Sequence, residues 1–343
     1  MKRRQHRRPQ NPYNSNRPSS HRGLPIHKIT FSNATALLTL LATLLLWFTS
    51  PIADVIANIA LSTVPLQADV DLGLQTWNQQ MKYHYPPVYD RWGVAEIGSE
   101  LVQEGGQRTA RDYCRRTKKM NNPTSSLEYD TCMKQIQTYP WSFTVVDSTQ
   151  INAFALPGGI ICVTNALLTT LNLNRGEIAA LLGHEMGHIL HRHSQLQLMK
   201  KDLLHTLLHA LLHSSHDSTA SDPSRRRRQQ RQQRYGEEVE ETAATIGDYM
   251  GQVLFQGMEF LGDMKFSRAN EYQADAVAWD LLVSSRVYDP RHVQNLLQKL
   301  WSLERHGRGD GKTSWEMTHP GTADRIEALQ AKWESESSQE SWY

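Results

Sequence analysis

Two histidines and a glutamate near the middle of the chain have the types and spacing of a metal site. They lie in GEIAALLGHEMGHILHRH, residues 176–193, which otherwise has the composition of a buried helix. Unpaired charged and imidazole groups are costly to bury, so a partner is expected beside this helix. His184 and His188 are four residues apart, and on a helix both imidazoles can reach one zinc ion at about 2.0–2.1 Å. Glu185 is offset around the helix and could reach a water molecule on that ion without being a ligand.

A third ligand is required, because a catalytic zinc has three protein ligands and an open fourth position. The segment NEYQAD contains Glu271 and Asp275, which are again four residues apart on a predicted helix. Glu271 can bind the metal, and Asp275 can accept the free ring N–H of a liganding histidine. The alternative, a solvated acidic face, is disfavoured by the neighbouring apolar sequence AVAWDLL. We expect His191 and His193 to lie on the surface, because a third histidine ligand would need a longer spacing.

The flanking sequence indicates the elements that must position these groups. Asn174 and Glu177 are three residues apart and predict a capping box at the start of the histidine-bearing helix. Before it, residues 141–168 alternate and are rich in β-branched and aromatic residues. Pro157-Gly158-Gly159 interrupts this stretch, which predicts two strands joined by a tight turn.

The beginning of the chain has the charge pattern of a targeting or anchoring segment. Of the 37 basic residues, eight lie in residues 1–28, which contain no acidic residue; this leaves 29 against 35 acidic residues in the remainder, a net charge of −6. Residues 29–53 contain no charged residue. The pattern predicts a basic cytoplasmic head followed by a signal anchor or a cleaved signal peptide, with the following residues outside the cytoplasm. A mitochondrial transit peptide is the alternative.

Two cysteines could form a disulfide in such an oxidising compartment. Cys114 and Cys132 bracket a polar, turn-rich loop, and closing it would stabilise the fold. Two free thiols are the alternative. We expect Cys162 to be a small buried apolar residue.

The region between the candidate ligands contains a low-complexity insertion. Residues 214–241 run from basic to acidic with almost no apolar side chain, which predicts a mobile segment within a domain that extends over residues 66–335. Nucleic-acid binding by its arginines is disfavoured by the predicted location outside the cytoplasm. The polar end, residues 336–343, is expected to fray.

Four motifs in order, NAFALPGG, HEMGH, NEYQAD and THPGTADR, resemble those of the HtpX-like zinc endopeptidases, metallopeptidase family 48. The resemblance extends over roughly residues 85–335. It implies a zincin-type, mostly helical α+β domain of the gluzincin kind, in which a small antiparallel sheet packs on the HExxH helix, preceded by one N-terminal hydrophobic helix. It also implies one Zn²⁺ per chain, with His184, His188 and Glu271 as ligands and Glu185 as the catalytic base.

The same resemblance implies roles for residues outside the ligand set. The strand around Asn152, Ala153 and Phe154 would be an edge to which an extended peptide substrate adds. His319 and Arg325 would help to stabilise the tetrahedral intermediate. Alternatively, they cap and pair the last helix, or His319 occupies the open zinc position in a latent state. The charged insertion departs from the family pattern and could cover the cleft.

The expected function is that of a membrane-tethered or periplasmic zinc endopeptidase that degrades misfolded or misassembled proteins. The alternatives are the same peptidase at the mitochondrial inner membrane and a metal-stabilised chaperone or adaptor whose peptidase is silent. The native substrate and the oligomeric state do not follow from the sequence.

Overall fold

The computed structural model describes residues 51–106, 135–136, 138–201, 266–306 and 314–337. By its internal contacts the chain divides into residues 1–49 and residues 50–343, and every described residue belongs to the second unit. Several features predicted above lie outside the described residues: the basic head 1–28, most of the uncharged segment 29–53, Cys114, Cys132, the insertion 214–241 and most of the tail 336–343.

Helices make up most of the described residues. They are α1 (Pro51–Ser62), α2 (Leu66–Thr76), α3 (Lys82–His84), α4 (Val94–Glu100), α5 (Asn165–Leu171), α6 (Arg175–Leu190), α7 (Arg268–Ser285), α8 (Arg291–His306), α9 (Ser314–Thr318) and α10 (Thr322–Ser337), with π-helical turns at Trp77–Met81 and Leu101–Gly106. Among the described residues, no helix combines the length and the apolar character needed to cross a membrane.

In the part of the chain that the structure describes, the sheet has three strands, β1 (Ser142–Val146), β2 (Ala153–Leu156) and β3 (Ile160–Thr164), in the order β1-β3-β2. The predicted turn joins β2 to β3 as an antiparallel hairpin, with Gly158 and Gly159 at φ values of 75° and 104° that favour glycine. However, β1 pairs with β3 in parallel, so the sheet is mixed and the expectation of an antiparallel sheet was wrong. Alternation predicts strands but not their order, because the period is two in either direction.

Helix α6 begins as predicted and is buried along most of its length. The Asn174 side chain accepts from the Glu177 backbone N–H, and the Glu177 carboxylate accepts from the Asn174 N–H, which confirms the capping box. Every residue from 176 to 189 is buried. The apolar core therefore surrounds the helix that bears the two histidines.

Helix α7 packs directly against α6 because glycines leave room for its backbone. A Cβ added to Gly187 would lie 2.7 Å from the Ala274 Cα, and one added to Gly183 would lie 3.1 Å from the Ala278 Cα. Small residues thus line both sides of the contact. This close approach brings the candidate ligands of α7 to those of α6.

Candidate metal centre

The side chains of four buried residues converge between α6, α7 and the turn before α10. The Nε2 atoms of His184 and His188 are 3.1 Å apart. The Glu271 carboxylate lies 3.5 Å from each of these atoms, through Oε2 and Oε1 respectively. His319 Nδ1 lies 3.3 Å from His184 Nε2 and 3.2 Å from Glu271 Oε1. The four potential ligand atoms all lie within 4.8 Å of one another.

This arrangement fits a tetrahedral metal ion. Ligand atoms about 2.0–2.1 Å from a tetrahedral zinc are about 3.3–3.4 Å from one another. Five of the pair distances given above are 3.1–3.5 Å, and the four atoms together span no more than 4.8 Å. Burial lowers the pKa of His184, His188 and His319, so the imidazoles are neutral and can offer a lone pair. Imidazole nitrogen and carboxylate oxygen are ligands that zinc accepts.

A hydrogen-bond network behind the cluster orients His184. Its Nδ1 lies 2.9 Å from Asp275 Oδ1. Asp275 in turn accepts two hydrogen bonds of 2.7 Å from Arg325, one from Nε and one from Nη2. Burial raises the pKa of Asp275, but the charge and hydrogen bonds of Arg325 outweigh this and hold it well below the usual range. Asp275 is therefore ionised and acts as an acceptor toward His184.

Arg325 also contacts a candidate ligand. Its Nη1 lies 2.7 Å from Glu271 Oε2, and the residue is 1% exposed. The guanidinium group thus lies between two buried carboxylates. The structure places it behind the cluster, where it can hold Glu271 and Asp275 in position.

Glu185 lies beside the cluster. It is 1% exposed, its Oε1 is 3.8 Å from His319 Nε2, and this oxygen has no hydrogen-bond partner among the described residues. Burial, followed by the charge of Glu271, raises the pKa of Glu185 to about 8. A cation at the cluster would lower this pKa and favour the carboxylate.

The structure thus brings together all seven residues that the sequence indicated for the centre and its support. It also places β2, which begins at Ala153 and contains Phe154, at one edge of the sheet and in contact with α6. Asn152 precedes the strand, and its backbone oxygen accepts from the Thr164 N–H at 3.0 Å.

The expectation that His193 lies on the surface was wrong. The residue is 2% exposed, and its Nδ1 lies 2.9 Å from His188 Nδ1. Helix α6 ends at Leu190, and Arg192 has a φ of 51°, so the chain turns and brings His193 back to the site. Helical periodicity could not predict this contact, because it extends past the end of the helix. His191 is partly exposed.

Two aromatic residues of the site were also missed by sequence reasoning. The ring of Phe266 stacks on His188 with centroids 4.0 Å apart, and the ring of Trp315 stacks on His319 at the same separation. Phe266 is far from His188 in the sequence, whereas Trp315 is four residues before His319 and its carbonyl oxygen accepts from the His319 N–H at 2.7 Å. No sequence signal could have found Phe266, whereas the i, i+4 spacing on a helix is a signal that pairs Trp315 with His319.

The HExxH helix and the buried His/Glu cluster together are the arrangement of a metallopeptidase. The profile of Peptidase family M48 matches residues 124–333, more than half of the chain. The protein belongs to this family of metal-dependent peptidases, which confirms the resemblance seen in its motifs.

Curated relatives support this assignment. The chain is 28% identical to the beta-barrel assembly-enhancing protease of Yersinia pestis over 167 residues, which are 49% of this chain and 29% of that protein. It is 29% identical to the mitochondrial metalloendopeptidase OMA1 of Bos taurus over 189 residues, 55% of this chain and 32% of the relative. Against metalloprotease LoiP of Escherichia coli (strain K12) the identity is 26% over 198 residues, 57% and 63% of the two chains. The matches thus span less than two thirds of each relative.

Proposed function

We propose that this protein is a zinc endopeptidase that hydrolyses peptide bonds of misfolded or misassembled proteins. The observation that carries the proposal is the convergence of His184 Nε2, His188 Nε2 and the Glu271 carboxylate within 3.1–3.5 Å, with Glu185 beside them. One Zn²⁺ held by these three residues would polarise a scissile carbonyl and lower the pKa of water.

Glu185 is the residue that moves protons in this proposal. Its Oε1 has no hydrogen-bond partner among the described residues, so it is available to take a proton from the attacking water. The same carboxyl group then returns the proton to the leaving amine. Because Glu185 is next to His184 on α6, the same helix would position both the base and the metal.

Asp275 and Arg325 act as supporting residues. Asp275 accepts a hydrogen bond from His184 Nδ1 and so leaves Nε2 free to bind zinc. Arg325 is engaged by Asp275 and Glu271 and is nearly inaccessible, which supports a positioning role over direct contact with the tetrahedral intermediate.

The position of His319 supports the proposal that the enzyme has a latent state. Its Nδ1 lies near two ligand atoms at distances suited to a fourth corner of the tetrahedron. A substrate carbonyl would need that corner, so His319 would have to move before hydrolysis. It could then contact the oxyanion of the intermediate. This closed arrangement is also the observation that favours the second candidate, a metal-stabilised chaperone or adaptor with a silent peptidase.

The substrate would bind as an additional strand at β2. The residues Asn152, Ala153 and Phe154 lie at the start of that edge strand, which contacts α6. An extended unfolded chain can pair its backbone with such an edge irrespective of its sequence. This supports unfolded or misassembled proteins as substrates, as does the name of the relative that enhances beta-barrel assembly.

The location proposed is the cell membrane, with a single anchor and the catalytic domain in the periplasm, or the periplasm after cleavage of the N-terminal segment. The basic head and the uncharged residues 29–53 support it. Helix α1 begins at the end of this segment and exposes Ile52, Val55 and Ile59, an apolar stripe suited to a membrane neighbour. The relatives named as mitochondrial support the inner mitochondrial membrane as the alternative. The proposed partners are the protein substrates and the membrane. Nucleic acid is not proposed as a partner.

The proposal is tested by incubating the full chain with zinc and reduced casein, with Glu185→Gln as the matched control. We expect fragments from the unmodified chain and a rate about 10²–10⁴-fold lower from the variant, since it keeps the ligands and loses the base. Zinc content should be equal in the two proteins and lost in His188→Ala. Equal cleavage by Glu185→Gln would refute the assignment of the base, whereas no cleavage by either protein with zinc bound would favour the chaperone or adaptor.

A further inference from the structure

The ring of His188 makes a contact that the proposed mechanism does not use. Its Nδ1 lies 2.9 Å from Nδ1 of His193, and both rings are at most 2% exposed. On its other side, His193 Nε2 lies 3.0 Å from Oε1 of Gln273. Gln273 is on α7, two residues after Glu271. A chain of three side chains therefore connects α6 with the helix that carries the third candidate ligand.

The positions of the hydrogen atoms along these three side chains follow from Gln273, the last of them. With the Gln273 amide oriented as it is in this structure, its oxygen faces His193 Nε2 and can only accept, which assigns the hydrogen to Nε2. A neutral His193 then has its lone pair on Nδ1 and accepts from His188 Nδ1–H. In this tautomer the lone pair of the His188 ring is on Nε2, the atom that faces the cluster.

Burial makes the contact hard to replace. Phe266 stacks on His188 with centroids 4.0 Å apart and lies 6.0 Å from the ring of His193. With an apolar ring beside both imidazoles and little exposed surface, a water molecule has no ready path to His188 Nδ1. Without His193, that N–H would be buried without a partner, and the ring could turn or take the other tautomer.

We propose that His193 is a positioning residue, whose Nδ1 accepts a hydrogen bond from His188 and so holds His188 Nε2 toward the metal. This inference rests on the proposed zinc site and deepens it. His193 supports His188 as Asp275 supports His184, so each histidine of the HExxH pair has an acceptor of its own.

The test is the zinc dissociation constant of the full chain, measured by competition with a chromogenic chelator. In His193→Phe the ring volume remains and the acceptor is lost, so we expect zinc binding about 10–100-fold weaker. In His193→Asn the side-chain oxygen takes the place of Nδ1, and the affinity should stay within about three-fold of the unmodified chain. His193→Gln carries the same amide one methylene further out, misses His188 and should not rescue binding.

His191→Phe is the matched control for packing. The ring of His191 stacks on that of His193 with centroids 5.3 Å apart, so the variant makes the same His-to-Phe change beside His193 and keeps the His193 acceptor. Its zinc affinity should not change. The rise of each protein's thermal midpoint on addition of zinc, relative to its own chelator-treated form, provides a second readout: the Asn variant should show the full rise and the Phe variant a smaller one. If His193→Phe does not fold, the comparison of Asn with Gln decides.

Equal zinc affinity in all variants would overturn the role of His193 and leave the zinc site intact. Equal weakening in Asn and Phe, or in the His191 control, would also overturn it, since the effect would then come from packing. Failure of the unmodified chain to bind zinc would instead refute the proposed function together with this inference.

Discussion

At the residue scale, the candidate metal centre buries several charged side chains close together. Three carboxylates, those of Glu185, Glu271 and Asp275, are at most 3% exposed, and Arg325 is the cation that contacts two of them. A buried charge is tolerated when it is paired and hydrogen-bonded, and removing one partner leaves the other uncompensated. Arg325 therefore contributes to folding as well as to the orientation of the ligands.

Replacing Arg325 with methionine should destabilise the chelator-treated protein by about 3–5 kcal/mol, because Glu271 and Asp275 would be left buried without a cation. Urea unfolding of the full chain measures this. Arg268→Met is the control: Arg268 pairs with Asp324 on the surface, and such pairs contribute little. A loss from Arg325→Met no larger than that of the control would contradict the argument.

At the element scale, the site depends on how closely α6 and α7 approach. Gly187 is one residue before His188, and Ala274 is one residue before Asp275, so the closest backbone contact lies beside the groups that must meet. Separation of the helices by a few tenths of an ångström would move Glu271 away from both histidines. The small residues at these positions are thus requirements of the site.

Gly187→Ala should therefore weaken both folding and zinc binding. The added Cβ would lie 2.7 Å from the Ala274 Cα and 2.9 Å from its carbonyl oxygen, and neither atom can rotate away. We expect a loss of about 1–3 kcal/mol in the free energy of unfolding. The gain of about 1 kcal/mol in helix propensity offsets part of the strain.

Gly183→Ala tests the explanation, because its added Cβ would lie 3.1 Å from the Ala278 Cα and require a smaller shift. Urea unfolding and chelator competition on both variants should rank Gly187→Ala as the more damaging. The reverse order would show that the helix contact is not what limits the site.

At the scale of the whole molecule, one buried group joins three distant segments. Asp69 on α2 accepts hydrogen bonds from the Tyr139 hydroxyl at 2.5 Å and from Arg192 Nη2 at 2.7 Å. Arg192, in the turn after α6, also donates to the Leu61 carbonyl oxygen at the end of α1. The N-terminal helices are thereby held to the turn that places His193, and the stability of the molecule is coupled to the site.

Tyr139→Phe tests the hydrogen bond from Tyr139 to Asp69 through the pH dependence of stability. Burial, and then the charge of Asp69, raises the pKa of Tyr139. Above about pH 10 the unfolded chain releases this proton and the folded chain keeps it, so stability is lost as pH rises. At pH 7 we expect the variant to be less stable by about 1–3 kcal/mol, because a hydrogen bond to a charged group is lost.

Between pH 10 and 11, the unmodified chain should lose up to about 1.4 kcal/mol more than the variant, so the difference between them narrows. Urea unfolding at pH 7, 10 and 11 measures this. If the difference in free energy of unfolding between the two proteins stays constant over this range, the pKa of Tyr139 is not raised in the folded chain.

The local parts of this protein could be predicted from the sequence, because they depend on neighbours within a few residues. The i, i+4 spacing placed His184 with His188 and Glu271 with Asp275, and the Asn174–Glu177 capping box and the β2–β3 turn followed from adjacent residues. These patterns reflect the helix period and turn chemistry, which act over one turn of chain.

Only the tertiary structure decided which local parts meet. It placed β1 in parallel beside β3, turned the chain at Arg192 so that His193 reaches His188, and directed Arg325 to both Asp275 and Glu271. None of these contacts has a sequence period, since each depends on packing between segments far apart in the chain. The motifs thus predict the residues that could bind a metal, whereas the fold determines which groups orient them.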